Sequence, residues 1–169
     1  MTEHCEIGRL IGIARRDAVR APMQEIASGS ITVERGLEGD HKGPKFPRRR
    51  VTVLQREAWE EALAELSHAD GGRAVLPWTV RRANLLVEGV HLPRARGGIL
   101  RIGPVKLEVT YPTQPCRRME EAFPGLLKAL SPDWRGGVTC QVMEGGVVRV
   151  GDAVEVLYAP PEQRPPRLP

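Results

Sequence analysis

Glycine and proline punctuate this chain from end to end, and that spacing constrains its fold more than any other feature. Eighteen glycines and fifteen prolines stand among 169 residues, so uninterrupted segments are short. Glycine enters left-handed turns without steric penalty, while proline removes a backbone donor and ends helices and inner strands. A bundle of long helices is excluded, and short strands joined by turns are expected. Hydrophobic residues at 41% and charged residues at 27% describe a globular chain, long enough to bury one core without disulfide staples.

The segments between the punctuation are β-like. Residues 7–14, 30–35, 50–54, 84–88, 99–102, 105–110, 138–143 and 153–157 read as strands, several with β-branched residues on alternate positions. One helix is clear. Leu54, Ala58, Trp59, Ala62, Leu63 and Leu66 fall on one face of residues 55–66, with Gly71-Gly72 closing the unit. A second helix is expected between Met119 and Leu130, interrupted at Pro124. The fold class is therefore mainly β, an antiparallel barrel with a few short helices. Residues 1–157 read as one domain and residues 158–169 as a proline-rich disordered tail.

Cys5, Cys116 and Cys140 make no disulfide framework, the N-terminus lacks the pattern of a signal peptide, and no apolar run is long enough to span a bilayer. A cytoplasmic location without membrane attachment is expected. The net charge of +4 suits an anionic ligand but does not by itself establish nucleic-acid binding. Stacking platforms are scarce with aromatics at 4%, so a basic RNA-binding module is only a remote alternative. His4, His41, His68 and His91 are scattered without metal-ligand spacing, and no phosphate-binding glycine loop or serine-nucleophile motif occurs.

The strongest chemical candidate is Cys116, in Thr110-Tyr-Pro-Thr-Gln-Pro-Cys-Arg-Arg-Met. Prolines stiffen the approach to it and two arginines follow, and neighbouring positive charge favours the thiolate that binds soft metals or carries sulfane sulfur. An ordinary buried cysteine is the competing reading. Cys140 alternates with Val138 and Val142 and reads as core; Cys5 is given no role. Arg81, Arg82 and Asn84 stand before an apolar strand, where guanidiniums can fork onto phosphate or a planar heterocycle; a solvated loop is the alternative. Asp40-His41-Lys42 and the segment Asp133-Trp-Arg135-Gly136-Gly complete the polar clusters.

In order, Gly36-Leu-x-Gly-Asp40, Arg50-Val-Thr-Val-Leu, Arg81-Arg82-Ala-Asn84-Leu, Glu88-Gly-Val-x-Leu, Gly103-x-Val-x-Leu-x-Val-Thr, Pro115-Cys116, Arg135-Gly-Gly, Gly145-Gly-x-Val and Gly151-Asp152 resemble a MOSC domain, the molybdenum cofactor sulfurase C-terminal domain family. The resemblance runs from about residue 10 to residue 157 and implies a MOSC-type β-barrel. It implies molybdenum cofactor (molybdopterin) as ligand, with Asp40, Arg81, Arg82, Asn84, Arg135 and Gly136 on the cofactor side. It implies that Cys116 matches the family's functional cysteine, which ligates molybdenum in amidoxime-reducing relatives and carries persulfide sulfur in the sulfurases. The first role implies reduction of N-hydroxylated compounds with electrons from a separate reductase. The second implies a sulfur carrier served by a separate cysteine desulfurase, because no pyridoxal phosphate site is expected in a chain of this length. His41 stands where the family usually has arginine after the Gly-Asp pair.

Overall fold

The computed structural model of the chain describes residues 6–70 and 75–163. Its elements are β1 (Ile7–Arg15), β2 (Gln24–Glu25), β3 (Ser28–Thr32), β4 (Gly36–Leu37), β5 (Val51–Gln55), α1 (Arg56–Asp70) and β6 (Leu85–Glu88), followed by β7 (Ile99–Ile102), β8 (Val105–Pro112), α2 (Arg117–Ala122), α3 (Leu126–Leu130), β9 (Val138–Glu144), β10 (Gly146–Arg149) and β11 (Ala153–Tyr158). Strands β11, β7, β8, β9, β5, β6 and β1 pair in that order, and β1 then pairs with β11 to close a seven-strand barrel. The expected mainly β barrel is what the chain forms. All of its pairings are antiparallel except β5 with β6, whose connection carries α1. That exception follows from geometry, since parallel neighbours need a long crossover. Closure leaves no free edge on the barrel itself. A small sheet of β10, β3 and β4 is separate in its pairing but sends Ile31, Leu37 and Val148 into the same core.

Two hydrophobic clusters use the two faces of the same strands. Val51 and Val53 of β5, with Leu85 and Val87 of β6, point into the barrel among Leu10, Ile13, Leu100, Ile102, Leu107, Val109 and Cys140. Leu54 and Leu86 point outward, where Trp59, Ala62 and Leu66 of α1 cover them together with Met119, Leu126 and Leu130. This is why β6 reads as a continuous apolar run: both of its faces are buried. Trp59, Ala62 and Leu66 are the helical stripe read in the sequence, and each large side chain so buried contributes about 1.5–3 kcal/mol.

Where structure and sequence reading differ, local geometry explains it. The second strand ends at Thr32 rather than Arg35. The Arg35 N–H donates to Thr32 Oγ1 at 3.1 Å, and the chain turns at Gly36, whose φ is +73°. A Cβ on Gly36 would sit 2.4 Å from the Arg50 carbonyl, so only glycine fits. Gly146, expected in a turn, opens β10 instead. The expected second helix is two helices, α2 and α3, on either side of Pro124. Tyr158 is the last residue of β11, and Gln163 remains tied to the barrel: Trp134 Nε1 donates to its carbonyl at 2.8 Å and its own N–H donates to the Arg94 carbonyl at 2.8 Å. The remainder of the expected tail, residues 164–169, lies outside the described residues, as do His4, Cys5 and the expected Gly71-Gly72 closure. Among the described residues no helix is long and apolar enough to cross a membrane.

Candidate functional site

The ends of β1 and β8 and the starts of β5, β6 and β9 meet around a cavity of about 340 Å³. Arg16, Lys42, Arg49, Arg81, Arg82 and Arg118 line it, with Asp40 the one carboxylate among the lining residues. Thr52, Asn84, Thr113, Cys116 and Thr139 add smaller polar groups. The sequence candidates Asp40, Arg81, Arg82, Asn84 and Cys116 are thus brought together from three separate stretches of chain.

Their roles differ. Arg81 is only 5% exposed, and its guanidinium donates from Nε to the Gly136 carbonyl at 2.9 Å and from Nη2 to the Thr113 carbonyl at 3.2 Å. It clamps the loop before Cys116 to the loop before β9. Burial lowers its pKa from the ordinary guanidinium value to about 10, with Cys116 acting in the other direction, so the guanidinium stays charged at neutral pH. Asn84 is a second clamp. Its Oδ1 accepts from the Thr52 N–H at 3.0 Å and from Thr52 Oγ1 at 3.1 Å, and its Nδ2 donates to the Ala14 carbonyl at 3.3 Å. It therefore ties β1, β5 and β6 together at the cavity wall. Asp40 Oδ1 accepts from the Arg16 N–H at 3.2 Å and fixes the chain that leaves β1.

Arg82 sits at φ +64°, a left-handed conformation that costs a non-glycine residue about 1–2 kcal/mol. The strain is held by a tight turn over Trp78–Arg81, in which the Arg82 N–H donates to the Thr79 carbonyl at 3.0 Å. Arg82 Nη2 donates to the Ala21 carbonyl at 2.7 Å, but Nε is buried with no hydrogen-bond partner among the described residues. The same holds for Arg16 Nη1 and Thr113 Oγ1. Three cavity-lining side chains therefore each carry a buried polar atom left unpaired, in a class of atom that is nearly always paired in folded proteins. Crowding of like charge accompanies this. Burial, then the neighbouring Arg118, lowers the Arg16 pKa, and burial, then Arg16 and Arg118, lowers that of Arg82. Partial burial and then Arg16, Arg49 and Arg81 lower that of Lys42. An anion would relieve these cations and satisfy the free donors together.

Cys116 is exposed and stands just before the first turn of α2, with its carbonyl accepting from the Met119 N–H at 2.8 Å. The competing reading of an ordinary buried cysteine does not hold for it. Cys140 is fully buried in the barrel, and burial pushes its thiol pKa far up, with Glu108 adding to the effect. Arg135 and Gly136 do not line the cavity. The Arg135 guanidinium faces α1, 2.8 Å from Glu65 and 3.7 Å from Glu61, and donates to the Ala129 carbonyl at 3.1 Å. Gly136 acts through its carbonyl on Arg81, and a Cβ there would lie 2.6 Å from the Thr113 carbonyl. His41 pairs with Lys45 Nζ at 3.0 Å, whereas Lys42 beside it reaches the cavity. Arg16, Thr52 and Thr113 were missed as site residues. The signal for Arg16 was present, because Arg15-Arg16 ends an otherwise apolar strand; nothing local marks the two threonines.

The model of the family described as MOSC domain matches residues 39–155. The chain belongs to the MOSC domain family. Arg16 reaches the MOSC cavity from outside that matched range. Solved structures of similar fold include the YuaD protein from Bacillus subtilis, at 16% identity and a TM-score of 0.71, covering 89% of this chain and 95% of that one. YiiM from Escherichia coli is similar at 18% identity and a TM-score of 0.64, covering 92% and 73%. YiiM from Geobacillus stearothermophilus is similar at 16% and 0.60, covering 89% and 73%. At these identities the likeness is one of fold. No curated protein sequence matches the chain.

Proposed function

We propose that this MOSC domain binds the molybdenum cofactor in the cationic cavity, takes Cys116 as a molybdenum ligand, and reduces N-hydroxylated compounds with electrons from a separate reductase. The observation that carries the reading is the set of unpaired buried atoms, Arg16 Nη1, Arg82 Nε and Thr113 Oγ1, in a cavity that also holds the exposed thiol. This donor set fits a ligand with an anionic end and a soft metal at the other.

In this reading Arg16 and Arg82 donate to the anionic oxygens, and the Thr113 hydroxyl completes the shell. Lys42 and Arg118 add positive potential without needing direct contact. Arg81 and Asn84 keep the wall rigid, so the cations are held together before the ligand arrives. When bound, the cofactor supplies two-electron chemistry at an N–O bond. Two electrons and two protons convert the N-hydroxyl compound to its N–H counterpart and water.

A second reading is favoured by the exposure of Cys116. A sulfur atom carried there as a persulfide, received from a cysteine desulfurase, is open to an acceptor. One experiment separates the two. Protein purified from a host that makes the cofactor is analysed for molybdenum and by intact mass. About one molybdenum per chain, lost in Cys116→Ser together with hydroxylamine-reducing activity driven by an artificial donor, is expected. Molybdenum retained in Cys116→Ser would remove Cys116 as ligand, and a reducible mass gain of one sulfur on Cys116 without molybdenum would select the carrier.

A further inference from the structure

The segment that follows the last strand is seated by one residue. The Gln163 carbonyl accepts from Trp134 Nε1 at 2.8 Å, its N–H donates to the Arg94 carbonyl at 2.8 Å, and its Oε1 accepts from the Arg96 N–H at 3.1 Å. Glu162 beside it lies 3.5 Å from the His91 imidazole, an exposed pair of little weight. The partners of Gln163 stand on two loops, residues 89–98 before β7 and residues 131–137 before β9.

The second loop is strained. Asp133 at φ +53° and Trp134 at φ +58° are consecutive non-glycine residues in the left-handed region, where a Cβ crowds the backbone. Such a turn persists only where its surroundings over-determine it. The Trp134 ring is buried with the barrel core, its carbonyl accepts from the Gly137 N–H at 3.0 Å, and its indole N–H is taken by Gln163. Directly after it, the Gly136 carbonyl accepts from Arg81 Nε and the Gly137 carbonyl accepts from the Thr113 N–H at 2.8 Å. Arg81 also holds the Thr113 carbonyl, three residues before Cys116, and its charge acts on that thiol. An unbroken line of contacts therefore runs from Gln163 through the strained turn to the loop that carries Cys116, the kind of continuity through which coupling travels.

We propose that Gln163 is a positioning residue for Cys116: by holding Trp134 in its left-handed turn, it keeps the Gly136 carbonyl on Arg81 and the Thr113 loop in place. The inference rests on the reading of Cys116 as the functional thiol. It makes residues 159–163 part of the frame of the site, although they lie outside both the cavity lining and the range matched by the family.

The test is amide hydrogen exchange read by NMR on the purified full chain, with the rate of Cys116 alkylation by iodoacetamide read by peptide mass. Trp134→Phe removes the indole N–H, and Gln163→Pro removes the backbone N–H and the side-chain amide. In both, the Gly137 and Thr113 amides are expected to exchange about tenfold faster, while those of Leu100 and Leu107, paired across β7 and β8, keep their rates. Alkylation of Cys116 at neutral pH is expected to slow about threefold, because a guanidinium no longer fixed beside the thiol favours its thiolate less. Gln163→Glu keeps the carbonyl, the N–H and the Oε1 acceptor and is expected to match wild type. Wild-type exchange at Gly137 and Thr113 in either variant, a rise shared equally by Leu100 and Leu107, an alkylation rate that holds or increases, or a Gln163→Glu protein that behaves like Gln163→Pro would overturn the proposal. Neither readout needs molybdenum. A chain without molybdenum that gives the expected pattern loses the cofactor reading and keeps the role of Gln163; a molybdenum-loaded chain whose variants exchange like wild type does the reverse.

Discussion

Replacing Arg81 by methionine tests whether the cavity wall is a clamped structure. Two opposing effects decide the outcome. The fall in pKa to about 10 corresponds to a burial cost of roughly 3 kcal/mol, which methionine relieves. Against this, the bonds to the Gly136 and Thr113 carbonyls are charge-assisted and worth about 1.5–3 kcal/mol each, and the Gly136 carbonyl left behind costs about 1–3 kcal/mol. The carbonyl side wins, with a net destabilisation of about 2–4 kcal/mol. For a chain of this length that lowers Tm by roughly 5–15 °C in a calorimetric scan. Arg81→Lys is also expected to fall, because one ammonium cannot fork onto two carbonyls. The pH dependence has a defined sign. Arg81 is a base with a lowered folded pKa, so the unfolded chain binds more protons, and stability rises with pH, only above about pH 10. The gap between wild type and Arg81→Met is therefore flat from about pH 6 to 9. A methionine variant as stable as wild type, or more stable, refutes the clamp.

Two further outcomes follow from the same contacts. Arg135→Ala loses a carbonyl bond and an ion pair that is buried on the Arg135 side and exposed on the Glu65 side, so it is expected to cost about 1–2 kcal/mol in urea unfolding while cofactor retention stays at the wild-type level; retention that collapses would place Arg135 on the ligand after all. Burial raises the folded pKa of Cys140 above the ordinary thiol value, so its contribution is fully present below about pH 9 and is lost as pH rises. Each pH unit above that costs about 1.4 kcal/mol, and Cys140→Ala is expected to flatten this slope in unfolding curves taken from about pH 8 to 10.5; an unchanged slope would assign it to other groups.

The barrel was legible because its strands carry the pattern of their burial. Leu85-Leu86-Val87 is apolar on both faces because it lies between the barrel interior and the helices, and the α1 stripe of Trp59, Ala62 and Leu66 repeats as a covered helix must. The short strands β2, β4 and β10 were not legible. A pairing of two to four residues leaves too little periodicity, and Gly146 looks like a turn until β3 lies beside it. In the site, Cys116 and Arg82 stood out by their chemistry. Thr113 did not, since what marks it is an unpaired buried hydroxyl, a property of three-dimensional surroundings. Arg135 was placed on the cofactor side by its position in a motif, whereas Glu61 and Glu65, one helical turn apart on α1, draw it away from the cavity. Sequence order locates such a residue near the site without giving the direction of its side chain.

The central claim is that an anionic pterin cofactor relieves the crowded cations of the cavity. The direct measurement is the ratio of pterin, released by oxidation and read by fluorescence, to chain in protein from a cofactor-making host. About one pterin per wild-type chain, falling at least about tenfold in Arg82→Ala while Arg135→Ala keeps its share, is the predicted result. Wild-type protein that carries no pterin, or an Arg82→Ala protein that carries as much as wild type, would contradict it.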